Sequence, residues 1–169
     1  MKNRIVRFNK FGSPEVLQIF EEKKLPINSI EGFIRQIIGW REFMKGIYWE
    51  KMPGLITENF FKINNKLPEF YWNAKTKMSC LKIVITQVLE YGYAHHIQRL
   101  MILGNFALLS ETNPREIHHW FLGMFIDAVE WVEMPNVVGM SQFSEGGFFT
   151  SKPYISSGQY INKMSNYCQ

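Results

Sequence analysis

Apolar positions along this chain recur mostly at helical spacing. In "NSIEGFIRQIIGWREFMKGIYW", residues 28–49, Phe33, Ile34, Ile37, Ile38 and Trp40 fall three or four apart or as helical neighbours, and Asn28 with Glu31 has capping-box spacing. Upstream, "GSPEVLQIFEEKK" offers Ser13 as an N-cap and Pro14 at the first helical position, which predicts a helix over 12–24. Pro, Gly and Asn interrupt the pattern over 51–77, predicting a loop with a short helix near 68–72. A helix over 79–90 follows, then a break at Gly92 and a second helix to about residue 110. "NPREIHHWFLGMFIDAVEWVEM" again opens on a cap, with Asn113, Pro114 and Glu116, and reads as one helix to 134. Beyond Pro135, "NVVGMSQFSEGGFFTSKPYISSG" is rich in Gly and Ser, before a last short helix in "QYINKMSNYC". Strand signals are poor. The pattern predicts an all-α domain with a long irregular segment after residue 135, and such a segment in a compact domain is usually functional or wraps a ligand.

With 169 residues the chain is long enough for one domain with a real core, and 46% hydrophobic against 20% charged residues excludes a disordered chain. Aromatics make up 15%, which suits a thick core or a surface for flat ligands such as bases. A net charge of +4, spread along the chain, is compatible with a polyanionic partner and equally with a solvated surface. The basic start "MKNRIVRFNKFG" lacks a following apolar run, so it is not a secretory signal, and "LMILGNFALL" is too short to span a bilayer. A cytoplasmic protein without membrane contact is expected. Cys80 and Cys168 are the two cysteines, and two thiols by themselves make neither a disulfide in a reducing compartment nor a metal site.

"GYAHHIQRLM", residues 92–101, sets His95, His96 and Arg99 just before the most apolar run of the chain. On a helix the two histidines point about 100° apart, and Arg99 lies on a neighbouring face. One reading is a site-facing histidine able to donate a proton. The other is one core histidine bonded to a carbonyl and one half-exposed. His118 and His119 have the wrong geometry to chelate from one helix face and are read as surface residues. Asp127, Glu130 and Glu133 follow the apolar run "WFLGMFI" at i, i+3 spacing. A carboxylate on an apolar helix needs a cation, and Arg99 is the natural partner for Asp127. An outward-turned polar face is the alternative.

Four stretches, "WREFMKGIYW", "GYAHHIQRLMILGNFALL", "FIDAVEWVEMPNVVGMSQFSEGG" and "SKPYISSGQYINKMSNYC", together resemble the flavin-binding region of the photolyase/cryptochrome family, in its bacterial iron–sulfur branch. The resemblance implies a partial helical FAD-binding domain over 1–169, without the amino-terminal antenna domain and the extreme carboxy-terminus. It implies light-driven repair of UV-damaged DNA, with electron transfer from reduced FAD to a (6-4) lesion. His96 then matches the lesion-facing general acid, and Arg99 with Asp127 the ion pair beside the isoalloxazine ring, with His95 adjoining the cofactor. Glu133 matches a position next to flavin N5, where a carboxyl could supply or retain a proton. Trp120 and Trp72 match an electron relay, and Met140, Tyr154 and Tyr160 match substrate-side residues. Cys80 and Cys168 match two of the four thiolates that hold a [4Fe-4S] cluster in this branch. Other readings of the resemblance are a cryptochrome-like photoreceptor and a remnant that works beside a complementary photolyase chain.

Overall fold

The computed structural model describes residues 26–167 in full and the backbone of residues 3–8 and 17–22. The chain divides into two units, Met1–Phe43 and Met44–Gln169.

In the first unit, strands β1 (Asn3–Phe8) and β2 (Leu17–Glu22) form an antiparallel pair, with Ile5 opposite Phe20 and Arg4 opposite Glu21. This corrects the helix predicted over 12–24. Ser13 and Pro14, on which that helix start rested, lie outside the described residues. The run that follows them is extended, and β-branched Ile5, Val6 and Ile19 suit a strand better than a helix. Helix α1 (Ile27–Ile34) passes into a π-helical stretch, Arg35–Glu42. Its N-cap is Pro26, two residues before the expected cap Asn28, and the Asn28 side chain accepts from the Ser29 N–H at 3.0 Å instead of closing a capping box.

The second unit is built from helices joined by loops, in keeping with the all-α reading. It contains α2 (Phe43–Lys51) apart from its first residue, a 3-10 turn (Gly54–Thr57), α3 (Phe70–Asn73) and α4 (Ser79–Tyr91). Helix α5 (His96–Gln98), a π-helical stretch (Arg99–Gly104) and α6 (Asn105–Leu109) then follow one another without a break. Helix α7 (Pro114–Met124), α8 (Glu130–Met134), a further π-helical stretch (Pro135–Ser141) and α9 (Gly158–Met164) complete it.

The core grows from the buried stripe Leu81, Val84, Ile85 and Val88 of α4, spaced for one helix face. Against it lie Leu103 and Ala107 from the following helix, and Ile117, Trp120 and Phe121 from α7. Tyr71 is fully buried and donates its hydroxyl to the Leu103 carbonyl at 2.8 Å. Gly92 ends α4 in a left-handed conformation, φ +62°, where a side chain would be strained. Its carbonyl then accepts from the Ile126 N–H at 2.9 Å. That bond ties the segment after α7 to the end of α4.

Two further expectations change here. The helix read from 113 to 134 is split at Phe125–Val129, so Asp127 sits in a turn. The irregular segment expected after 135 begins later, because Pro135–Ser141 is helical and mostly buried. Its small residues serve close packing. A Cβ on Gly139 would run into the Phe149 ring, and one on Gly104 into the Ser141 hydroxyl. Glycines that looked like loop signals are the points where chain segments touch.

Candidate functional site

Arg99 is the centre of the site. It opens a π-helical stretch, a local widening often found at functional positions. Its side chain is 15% exposed. One terminal nitrogen donates to both Asp127 oxygens at 2.9 Å, and Nε donates to the Ala94 carbonyl at 2.7 Å. The guanidinium carbon also lies 4.0 Å from the centre of the Phe125 ring and 5.2 Å from that of Tyr93. The expected Arg99–Asp127 pair is therefore formed. It forms because α7 breaks: the Gly92–Ile126 hydrogen bond delivers the next residue, Asp127, toward Arg99. Asp127 keeps 49% of its side chain exposed, so the pair faces outward on one side.

Glu133 completes the cluster from α8. It is 6% exposed, and none of the described residues donates a hydrogen bond to its carboxyl. Burial pushes its pKa up from 4.5 to about 7, the Arg99 charge works downward, and the Asp127 charge adds to the rise. At neutral pH this carboxyl is divided between its acid and carboxylate forms. Such a group can hold or give up a proton with little driving force either way.

His95 and His96 adopt neither of the arrangements read from sequence in full. His95 is the N-cap of α5: its Nδ1 accepts from the Ile97 N–H at 3.2 Å, and Gln98 Oε1 accepts from the His95 N–H at 2.7 Å. This is a capping box made with imidazole. His96 is an exposed residue, and its pKa is lowered by partial burial first, then by the charges of Arg99 and His95. The shift favours the neutral imidazole in the free chain.

The remaining candidates are spread around this centre. Tyr160 shares a groove of about 280 Å³ with His95, Gln98 and Met101. Tyr154 is partly exposed beside a different hollow, with Lys152 and Pro153. Met140 is buried and has little surface to offer a ligand. Trp120 is 1% exposed, donates its indole N–H to the Tyr71 carbonyl at 3.2 Å, and lies 5.9 Å from Phe125 ring to ring. Trp72 follows Tyr71 in the chain and is 57% exposed. A file of contacts thus runs from Arg99 through Phe125 and Trp120 to the neighbour of a surface tryptophan.

His118, read as a surface residue, is instead buried in α7, with Nδ1 lacking a partner among the described residues. Burial and the His119 charge hold its pKa down at about 4, against a smaller upward pull from Glu130. Glu130 turns elsewhere, accepting from the Tyr48 hydroxyl at 3.1 Å. Cys80 is half-buried at the start of α4 against the main core, and Cys168 lies outside the described residues. Among the described residues no group of three or more side chains is placed to hold a metal ion. No described helix is long and apolar enough to cross a membrane.

The residues missed from sequence are Phe125 and Tyr93, which clamp Arg99, and Gln98, which closes the cap and donates to the Tyr167 hydroxyl at 2.8 Å. The signal for Phe125 was present: an aromatic two residues before the carboxylate expected to meet an arginine.

A (6-4) photolyase of Agrobacterium fabrum is 58% identical to this chain over 149 residues, which is 88% of the chain and 29% of that protein. An uncharacterized protein of Acanthamoeba polyphaga mimivirus is 41% identical over 66 residues, 39% of the chain and 54% of that protein. The chain therefore spans under a third of the first relative and about half of the second. No family model matches it.

Proposed function

Because the chain belongs to the photolyase/cryptochrome family, we propose that it is flavin-binding sequence of a light-driven enzyme repairing UV-damaged DNA of the (6-4) class. The observation that carries this reading is the cluster of Arg99, Asp127 and Glu133, which presents an oriented cation beside a half-protonated, buried carboxyl. Those residues suit FAD. The orphaned Glu133 carboxyl can hydrogen-bond a ring nitrogen as donor or acceptor, and the Arg99–Asp127 pair offers charge at an open edge. Reduced FAD, once excited, would supply the electron that starts repair.

On this reading Arg99 and Asp127 bind and orient the cofactor, while Glu133 holds or moves a proton at its carboxyl oxygen. His96 is the general acid toward the lesion. Its charged form is disfavoured in the free chain by Arg99 and His95, and the negative phosphodiester of bound DNA acts in the opposite direction, raising its pKa on binding. Tyr160 and Tyr154 offer aromatic surface to an extruded base, which sequence-tolerant stacking favours. Trp72 and Trp120 pass electrons inward. The cluster of four irons is a different case. Cys80 and Cys168 are half of the four thiolates it takes, so this chain's own cysteines do not complete the set, and no step depends on it.

The test is reconstitution. Incubated with FAD, the chain should retain flavin absorbance through gel filtration, and Arg99→Ala should lose it. Under blue light, His96→Ala should abolish repair of a (6-4)-containing oligonucleotide with flavin content unchanged. Equal repair by the variant would remove His96 from the acid role. Flavin that washes off wild type and Arg99→Ala alike would sink the cofactor assignment.

A further inference from the structure

The chain just after Trp72 carries a feature that neither flavin binding nor lesion binding uses. Helix α3 ends at Ala74, whose N–H donates to the Phe70 carbonyl at 2.8 Å, and the chain then turns sharply. Asn73 Oδ1 accepts from the Lys75 N–H at 2.9 Å, Thr76 N–H donates to the Ala74 carbonyl at 2.9 Å, and Thr76 Oγ1 accepts from the Met78 N–H at 3.3 Å. These bonds fix a short bend that carries Lys75 and Lys77. Lys82, from the first turn of α4, closes the third side of an open concavity of about 480 Å³ that Thr76 and Thr86 also line. Among the described residues none of the three lysines has a carboxylate within ion-pair distance. The concavity lies at the start of α4, whereas His95 and His96 follow its far end, thirteen residues on. At 1.5 Å per residue that is roughly 20 Å, so the lysines belong to a different face from the histidine corner.

Three uncompensated ammonium groups around a hollow concentrate small anions. Asn73 on the rim of this hollow directly follows Trp72, whose indole is more than half exposed, and Trp72 in turn follows Tyr71, whose carbonyl accepts from the buried Trp120 indole. We propose that Lys75, Lys77 and Lys82 form a docking site for small anionic one-electron reductants that re-reduce Trp72. The assignment rests on the electron-relay reading of Trp72 given above. Ascorbate monoanion serves as the example. It gives one electron to the Trp72 radical cation left by photoreduction and its proton to water. Ascorbate leaves as its radical anion, and the indole returns to its neutral closed-shell form.

The site can be read without flavin. Tryptophan fluorescence of the chain is quenched in parallel by iodide, caesium and neutral acrylamide, and the Trp72 share is the part lost in Trp72→Phe. In the triple variant Lys75→Glu, Lys77→Glu, Lys82→Glu, iodide quenching of that share should fall about threefold, the effect of about one kT of local potential. Caesium quenching should rise and acrylamide quenching stay the same. The difference should collapse in 0.5 M inert salt, where the screening length is roughly 4 Å. A milder triple substitution to Gln should give an intermediate value and guards against misfolding of the reversed form. Iodide access independent of the lysines would overturn the anion site. In flavin-loaded protein, recovery of Trp72 by ascorbate should slow about threefold in the Glu variant, with recovery by a neutral reductant unchanged. Equal ascorbate rates would overturn the reductant role, whereas photoreduction that is identical in wild type and Trp72→Phe would instead refute the relay reading beneath it.

Discussion

Glu133→Gln tests whether the buried carboxyl is paid for by proton binding, and its effect is set by the direction of one titration. The carboxyl's pKa is pushed up from 4.5 to about 7, so the folded chain holds its proton more tightly than the unfolded chain. Stability from this group is therefore fully present below pH 4.5 and is lost as pH rises toward 7. A rise of that size corresponds to about 3 kcal/mol. His118 works the other way. Its pKa is held down at about 4 from 6.5, so the unfolded chain binds the extra proton and stability falls by a similar amount as pH drops from 6.5 to 4. Between pH 4.5 and 6.5 the two slopes oppose, so wild type should show little pH dependence from these groups. The variants expose it. Relative to wild type, Glu133→Gln should gain about 3 kcal/mol between pH 4 and pH 8. His118→Gln should gain about as much, relative to wild type, on going from pH 7 to pH 4. Urea unfolding followed by tryptophan fluorescence measures both, and 3 kcal/mol moves the midpoint by about 1.5 M at a typical slope. A Glu133→Gln difference that is constant from pH 4 to pH 8 would refute the raised pKa. A difference that shrinks with pH would mean that Glu133 is ionised and stabilised by Arg99.

Asp127→Asn removes the charge that adds to the Glu133 rise, so the Glu133 pKa should fall, whereas Arg99→Gln should raise it; carboxyl-carbon NMR titration reads both. Because Asp127 is half-exposed, its substitution should cost only about 1 kcal/mol in stability by urea unfolding. Trp120→Phe leaves the buried Tyr71 carbonyl without its indole donor, and should cost about 1–3 kcal/mol and slow photoreduction in flavin-loaded protein. Unchanged photoreduction kinetics would mean that electrons take another route. Gly104→Ala pushes a methyl into the Ser141 hydroxyl where two helical stretches cross, and should cost about 1–3 kcal/mol with a lowered urea midpoint.

The helices that carry their own signals were legible: α4 has a clean apolar stripe and a left-handed glycine stop, and α7 has Asn113 accepting from the Arg115 N–H. What sequence spacing could not convey was the end of α7. Phe121 and Phe125 both bury their rings in the main core, and a helix could have carried both. The chain leaves the helix because the Ile126 N–H finds its partner on Gly92, thirty-four residues away in sequence. Local propensity has no access to such a bond. His118 was misread for the same reason. A histidine on a helix face is ordinary surface until another element covers it. The amino-terminal pair failed differently: one Ser-Pro step suggested a cap, while the strand that opposes Leu17–Glu22 lay a dozen residues upstream.

Arg99 explains why the site needs all of its neighbours. Its charge lowers the pKa of both Glu133 and His96, so alone it would keep the first ionised and the second neutral. Asp127 offsets that charge and burial overrides it at Glu133, and the carboxyl ends near 7. At His96 burial acts in the same direction as Arg99, so nothing within this cluster restores the imidazolium. The two groups are thus set differently by one cation. Glu133 is poised for proton exchange in the free chain, and on the proposed function His96 would become an acid only when an anion arrives beside it. On that reading the anion is a DNA phosphodiester, and an acid that charges as substrate binds is protected from titrating idly when the site is empty.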